Sequence, residues 1–250
     1  MDYVRGADLS TLDEHEFDAV ILWDTDKCLI ACVREPVGTS GRPRHTHTAD
    51  QLYYVLRGRA SVELGGDVHL AGPGDLVHIP RGAPHWQWNG ADEPLVHLEV
   101  IVHPPPPGQP LVVPFEHGAD LVRDDPDYPR GAVRSASGVS PGTALLSPAP
   151  GGAGAVLRID RHEPSSAPPR CVAEHDRFHF VLEGQLQADI AHASVTVAPW
   201  HLLAIPAGVP HRIWNEGTGP ARSLSLAVLD EGATTDDLLV DFAVRGIGAM

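Results

Sequence analysis

The chain is nearly without lysine, with Lys27 the single one among 250 residues. Arginine and lysine together number 18 against 33 acidic side chains, a formal net charge of −15 at pH 7. A phosphate backbone calls for a basic footprint, and no basic run is present, so nucleic acid is not an expected partner. Cysteine is almost as scarce. Cys28, Cys32 and Cys171 supply neither a disulfide framework nor a four-cysteine zinc site, which fits a reducing compartment, and Cys28 and Cys32 read as small buried hydrophobes. No apolar run approaches the ~20 residues of a membrane span. The acidic opening MDYVRGADLSTLDEHEFD also lacks the parts of a secretory signal. A cytoplasmic protein acting on a small molecule, with no membrane partner, is the expectation.

What is present is turn chemistry between short apolar runs, with 25 glycines and 24 prolines. Residues 18–23 and 28–33 read as strands around the turn Asp24-Thr25-Asp26-Lys27. Residues 52–56, 60–64 and 94–102 continue the pattern, with Gly65-Gly66-Asp67 and Pro73-Gly74-Asp75 as turns. The fold class is all-β. Two helical pieces are expected beside it, one turn in residues 8–17 capped by Ser10 and a terminal helix over 234–244. The run His103-Pro104-Pro105-Pro106-Pro107-Gly108 cannot join a sheet interior, so it marks a break. The domains are drawn as 1–103, a Pro-rich linker 104–125, and 126–250.

The first domain carries its chemistry between His45 and Asn89. His45 and His47 are two apart, so on a strand they share a face, and neighbouring strands would bring in Gln51 and His85. The first domain then recurs. PRCVAEHDRFHFVLEG sets against PRHTHTADQLYYVLRG, and IPAGVPHRIWN against IPRGAPHWQWN, both at an offset of 126 residues (Gly184 against Gly58, His211 against His85). A constant offset across two motifs signals internal duplication.

These motifs resemble the cupins. His-x-His, three residues, a ligand, six residues and Gly58 match the first cupin motif. Gly74, five residues, Pro80-x-Gly82, two residues, His85, three residues and Asn89 match the second. Two departures stand out: Thr39 takes the place of a glycine, between Gly38 and Gly41, and Gln51 replaces the usual glutamate ligand. The resemblance implies two tandem jelly-roll barrels, a bicupin, with dimerisation a common habit of the family. It also implies one divalent transition metal per chain (zinc, nickel or iron) on His45, His47, Gln51 and His85. A neutral amide leaves the ion its full 2+ charge, which favours Lewis acidity. Relatives with three histidines and a glutamine include aromatic polyketide cyclases of the resistomycin type and sugar-linearising cupins of uronate breakdown.

In the second copy Cys171, Ala173 and Arg177 stand where His45, His47 and Gln51 stand, and His211 alone is retained. A guanidinium opposes a cation, so metal is expected in the first domain only. The alternative is a different site built from Cys171, His179 and His211.

A chelated dicarbonyl loses its intervening proton readily, which leads to isomerisation, cyclisation or elimination. Glutamine cannot take that proton. The candidate bases, in order, are Glu99, His97 and Tyr53, with His97 and Glu99 alternatively on an outer polar face. Tyr53, Val55 and Gln87 suit a pocket wall, whereas Trp86 and Trp88 point away from the ligands. The competing readings are an iron-dependent, quercetinase-like dioxygenase and a non-catalytic ligand-binding barrel.

Overall fold

The computed structural model describes residues 2–12, 15–116, 129–147 and 154–230. The expected helix over 234–244 lies outside the described residues, as does the segment 117–128. Among the described residues the only helix is a 3-10 turn, Leu9–Thr11. Its cap is Asp8, not Ser10: the Asp8 carboxylate accepts from the Ser10 amide at 3.0 Å and from the Ser10 hydroxyl at 2.6 Å. Aspartate accepts both at once, which a serine hydroxyl in the turn cannot.

The chain forms two compact units, Asp8–Val139 and Met1–Ala7 with Ser140–Met250. The first is a jelly roll of two antiparallel sheets. Its strands are β2 (Asp18–Asp24), β3 (Cys28–Glu35), β4 (His45–His47), β5 (Asp50–Arg57), β6 (Ala60–Leu64), β7 (Asp67–Ala71), β8 (Asp75–Ile79), β9 (His85–Trp88), β10 (Leu95–Val102), β11 (Val112–Pro114) and β12 (Ala132–Ser135). One sheet runs β12-β8-β5-β10-β3-β2 and the other β11-β4-β9-β6-β7. Between them Tyr53, Val55, Val62, Leu64, Val77, Ile79 and Leu95 form a dry core. β4 and β5 lie in different sheets with only Thr48 and Ala49 between them, so the chain crosses the barrel between the second histidine and Gln51. The first sheet then faces the histidines with Gln51, Tyr53, His97 and Glu99.

The second unit comprises β1 (Val4–Gly6), β13 (Ala144–Leu146), β14 (Ala155–His162), β15 (Asp176–Glu183), β16 (Leu186–Ile190), β17 (Ala193–Val197), β18 (His201–Ile205), β19 (His211–Trp214) and β20 (Ala221–Val228). They form sheets β1-β18-β15-β20-β14-β13 and β17-β16-β19. Two segments sit differently from the boundaries drawn at the prolines. Residues 4–6 pair with β18, Val4 opposite Leu203, and residues 132–135 pair with β8, Ala132 opposite His78. The linker also contributes β11, with Val112 opposite His47. A short strand takes whichever sheet edge offers unpaired amides, and sequence alone does not say which edge is open.

The duplication reaches the hydrogen-bond frame. Gly82 N–H donates to His47 O at 2.9 Å, and Gly208 N–H to Ala173 O at 2.8 Å. Asp50 accepts from Arg81 N–H at 2.6 Å, and Asp176 from Ala207 N–H at 2.7 Å. Asn89 and Asn215 each clip the following loop through the carbonyls of Glu93 and Gly219, at 2.9 and 2.8 Å. Gly58, at φ +71°, would place a Cβ 2.5 Å from Pro94 O. Gly184, at φ +73°, would place one 2.8 Å from Ala221 Cα. Both closing glycines therefore answer a steric demand as well as a positive φ.

Candidate metal centre

β4 and β9 carry the three histidines, with His45 directly opposite His85. All three rings are buried, and their ring centroids lie 4.3–5.1 Å apart. The backbone sets two of the tautomers, while His47 Nδ1 is buried without a partner. His45 Nδ1 lies 2.8 Å from Pro43 O and His85 Nδ1 3.0 Å from Ala83 O, so each Nδ1–H donates two residues back and leaves the Nε2 lone pair facing inward. His85 Nε2 is buried with no hydrogen-bond partner. His45 Nε2 and His47 Nε2 stand 2.9 Å apart, the spacing of neighbouring nitrogens on an ion with bonds of about 2.1 Å. Burial, with repulsion from the neighbouring histidines, pushes His47 down to about 3 and His85 to about 4, and burial, with repulsion from Arg42, lowers His45, so the neutral forms are favoured at physiological pH.

Gln51 completes the set from the facing sheet. Its Nε2 donates to Glu99 Oε1 at 2.8 Å, and its Oε1 is buried without a partner. The carboxylate thus orients the amide and leaves its oxygen as the donor atom. Orphaned atoms on His85 and Gln51, beside a compact histidine triad, fit a transition metal. His45, His47, Gln51 and His85 would hold it.

His45, His47 and Gln51 line a cavity of about 600 Å³ together with Tyr53, His97 and Glu99, and His85 adjoins it through the His45 ring, 4.3 Å away. The alternative that His97 and Glu99 face outward is therefore closed. Gln87 lines it too, whereas Val55 lies in the core. Trp86 and Trp88 stack on each other at 4.7 Å and do not line the cavity. Tyr53 packs on His97 at 4.7 Å. Burial raises the Tyr53 hydroxyl and the Glu99 carboxyl and pushes His97 down to about 3.

One residue escaped the sequence reading. Glu35, at the end of β3, is fully buried and lines the cavity. Gln87 Nε2 donates to its Oε1, while Oε2 is buried without a partner. Burial, with repulsion from Glu99, raises its carboxyl to about 7. Standing before Pro36, it reads as the start of a loop. The available signal was parity, because Glu35 shares its face with Ala31 and Val33, which pair with Glu99 and His97.

In the second barrel Cys171 Sγ lies 3.5 Å from His211 Nε2, but His179 is elsewhere engaged, its Nδ1 2.9 Å from Ser225 Oγ. The candidate set Cys171, His179 and His211 is not assembled. His179 groups instead with Asp160 and His162. There Asp160 is paired to Arg158 at 2.8 Å and accepts from Ser225 at 2.6 Å, and His162 meets Ser223 at 2.9 Å. Arg158 and Arg177 line the small cavity beside His179, an environment that disfavours a cation.

Comparison with curated proteins finds no match. The family model for the cupin domain matches residues 32–101 and 156–227. Among solved structures, a protein from Pseudomonas aeruginosa described as glyoxylate-induced superposes with a TM-score of 0.67 at 18% identity, covering 89% of this chain and 84% of that one. A Bacillus subtilis oxalate decarboxylase mutant gives 0.63 at 15%, covering 93% and 78%. A salicylate 1,2-dioxygenase mutant from Pseudoaminobacter salicylatoxidans gives 0.57 at 16%, covering 81% and 72%. At such identities the likeness is one of fold. With the family model matched once in each barrel, across more than half its length, the chain belongs to the cupin family as a two-domain member.

Proposed function

We propose that the first barrel is a metal-dependent enzyme acting by Lewis-acid and enolate chemistry on a small oxygenated substrate such as a β-dicarbonyl or polyketide, as a cyclase, isomerase or lyase. The observation that carries this reading is the neutral donor set, three imidazoles and the Gln51 amide oxygen, facing buried carboxyl groups across one cavity. A divalent ion held there supplies Lewis acidity, drawing electron density from a substrate carbonyl and acidifying the adjoining C–H. The chain supplies the rest. Glu99 holds the Gln51 amide in place, the apolar side chains Phe17, Leu111 and Val112 help wall the cavity, and Tyr53 and His97 shape its floor. Arg42, exposed at the mouth, attracts an anionic or enolised ligand.

The test is deuterium exchange into the methyl group of pyruvate in D2O, followed by proton NMR. Zinc- or nickel-loaded protein should accelerate exchange without oxygen, and a His47→Ala variant should not. Oxygen uptake by iron-loaded protein, with no exchange under zinc, would place C–C cleavage by a dioxygenase first. Binding of pyruvate without either would leave a ligand-binding barrel.

A further inference from the structure

The proton that leaves an enolising substrate needs an acceptor, and besides the cationic Arg42 the cavity offers four titratable groups outside the ligand set. Glu99 is the first choice from sequence, but its Oε1 accepts the Gln51 amide, and losing that bond would release the donor oxygen. It is a positioning residue. Tyr53 is held protonated by burial and by the two carboxyls. His97 is a weak base, and its Nδ1 has no hydrogen-bond partner, with Glu35 Oε1 4.0 Å away, beyond hydrogen-bond reach.

Glu35 differs from all three. It sits on the cavity face of β3, and Gln87 fixes it through Oε1. Its Oε2 is buried without a hydrogen-bond partner, an arrangement that is unfavourable for a buried polar atom unless a proton or a ligand answers it. The groups that face it are His97 and Glu99 from β10, Tyr53 from β5, and the neutral histidines across the cavity, with Arg42 at the mouth. Among the described residues no cation is fixed against it, so its proton is exchangeable near neutrality.

Building on the enolate reading above, we propose that Glu35 is the general acid–base group of this pocket, with Gln87 holding it and Glu99 serving the ligand Gln51. A substrate C–H bond next to a carbonyl breaks, its electron pair passes into the enolate, and the proton moves to Glu35 Oε2. The resulting carboxylic acid returns that proton to the carbon or oxygen that becomes product, and no oxidant or reductant is consumed.

The experiment uses acetylacetone, a neutral dicarbonyl that chelates only after losing a proton. Zinc-loaded wild type, Glu35→Gln and Glu99→Gln are titrated calorimetrically at pH 8 in two buffers of different ionisation enthalpy, which counts the protons passed to the buffer. Wild type should keep the proton, Glu35→Gln should release one per ligand bound, and Glu35→Asp should restore uptake. Glu99→Gln should bind several-fold more weakly yet still keep the proton. Zinc content, read in parallel, shows that each variant retains its site. Acetylacetone binding to wild type with its proton released to the buffer would overturn the role of Glu35. So would release from Glu99→Gln in place of Glu35→Gln. Absence of binding by zinc-loaded wild type would withdraw the enolate reading itself and this role with it, an outcome distinct from binding with release.

Discussion

Replacing Glu35 by glutamine should stabilise the metal-free protein, and only above a definite pH. The carboxyl titrates at about 7 when folded against 4.5 in an exposed state, a gap of about 2.5 pH units. At about 1.4 kcal/mol per unit this is about 3 kcal/mol. The raised value means that the folded protein binds the proton more tightly than the unfolded chain. Glu35 therefore costs nothing below about pH 4.5, costs progressively more as pH rises, and reaches its full cost above about pH 7. Glutamine keeps the shape and the contact with Gln87 and carries no charge at any pH. Urea unfolding of chelator-treated wild type and Glu35→Gln should coincide at pH 4 and diverge to about 3 kcal/mol at pH 8. Titrations of His47, His85 and His97 are common to both proteins and cancel in the difference. A constant difference across that range, or a variant less stable at pH 8, would refute the argument that Glu35 is buried without a compensating charge.

Other expectations follow from the same geometry. His47→Ala should lower bound metal, measured by elemental analysis of protein purified without added metal, from about one ion per chain to almost none. Because all three imidazoles are shifted down, the acid loss of metal should fall at lower pH than for exposed imidazoles, with His85 and His47 charging only near pH 4 and below, followed by competition with a chromogenic chelator. Gln51→Glu should set a carboxylate against Glu99, destabilising metal-free protein by about 2 kcal/mol while tightening metal binding, seen in melting curves with and without zinc. Asn89→Ala, which removes donors to Glu35 O, Pro36 O and Glu93 O, should cost about 2–4 kcal/mol by thermal unfolding.

The candidate histidine cluster was legible because strand parity and turn chemistry fix its parts. His45 and His47 share a face by strand parity, and the turn glycines Gly58, Gly74 and Gly82 lie at positive φ where the sequence pattern requires them. The duplication was legible for the same reason, since both copies keep their turns. Glu35 was hidden by the proline that follows it, which suggested a loop although the strand runs to that residue. The grouping of His162 with Asp160 and His179 was not legible, because Asp160 shares its strand face but His179 joins them only through sheet pairing across β20. The destinations of β1, β11 and β12 depend on which sheet edges stand open, a property of the assembled barrel that no local pattern records.

The pairing of β1 with β18 also sets an order of events during synthesis. Val4 leaves the ribosome about two hundred residues before Leu203, its partner, so the first strand made is among the last to find its place. Until then β18 has an open edge, and nascent chains in a crowded polysome can exchange this strand between copies. An excised first barrel is best begun at Asp8 and carried to Val139, and a second barrel expressed from residue 140 would leave the β18 edge without its β1 partner.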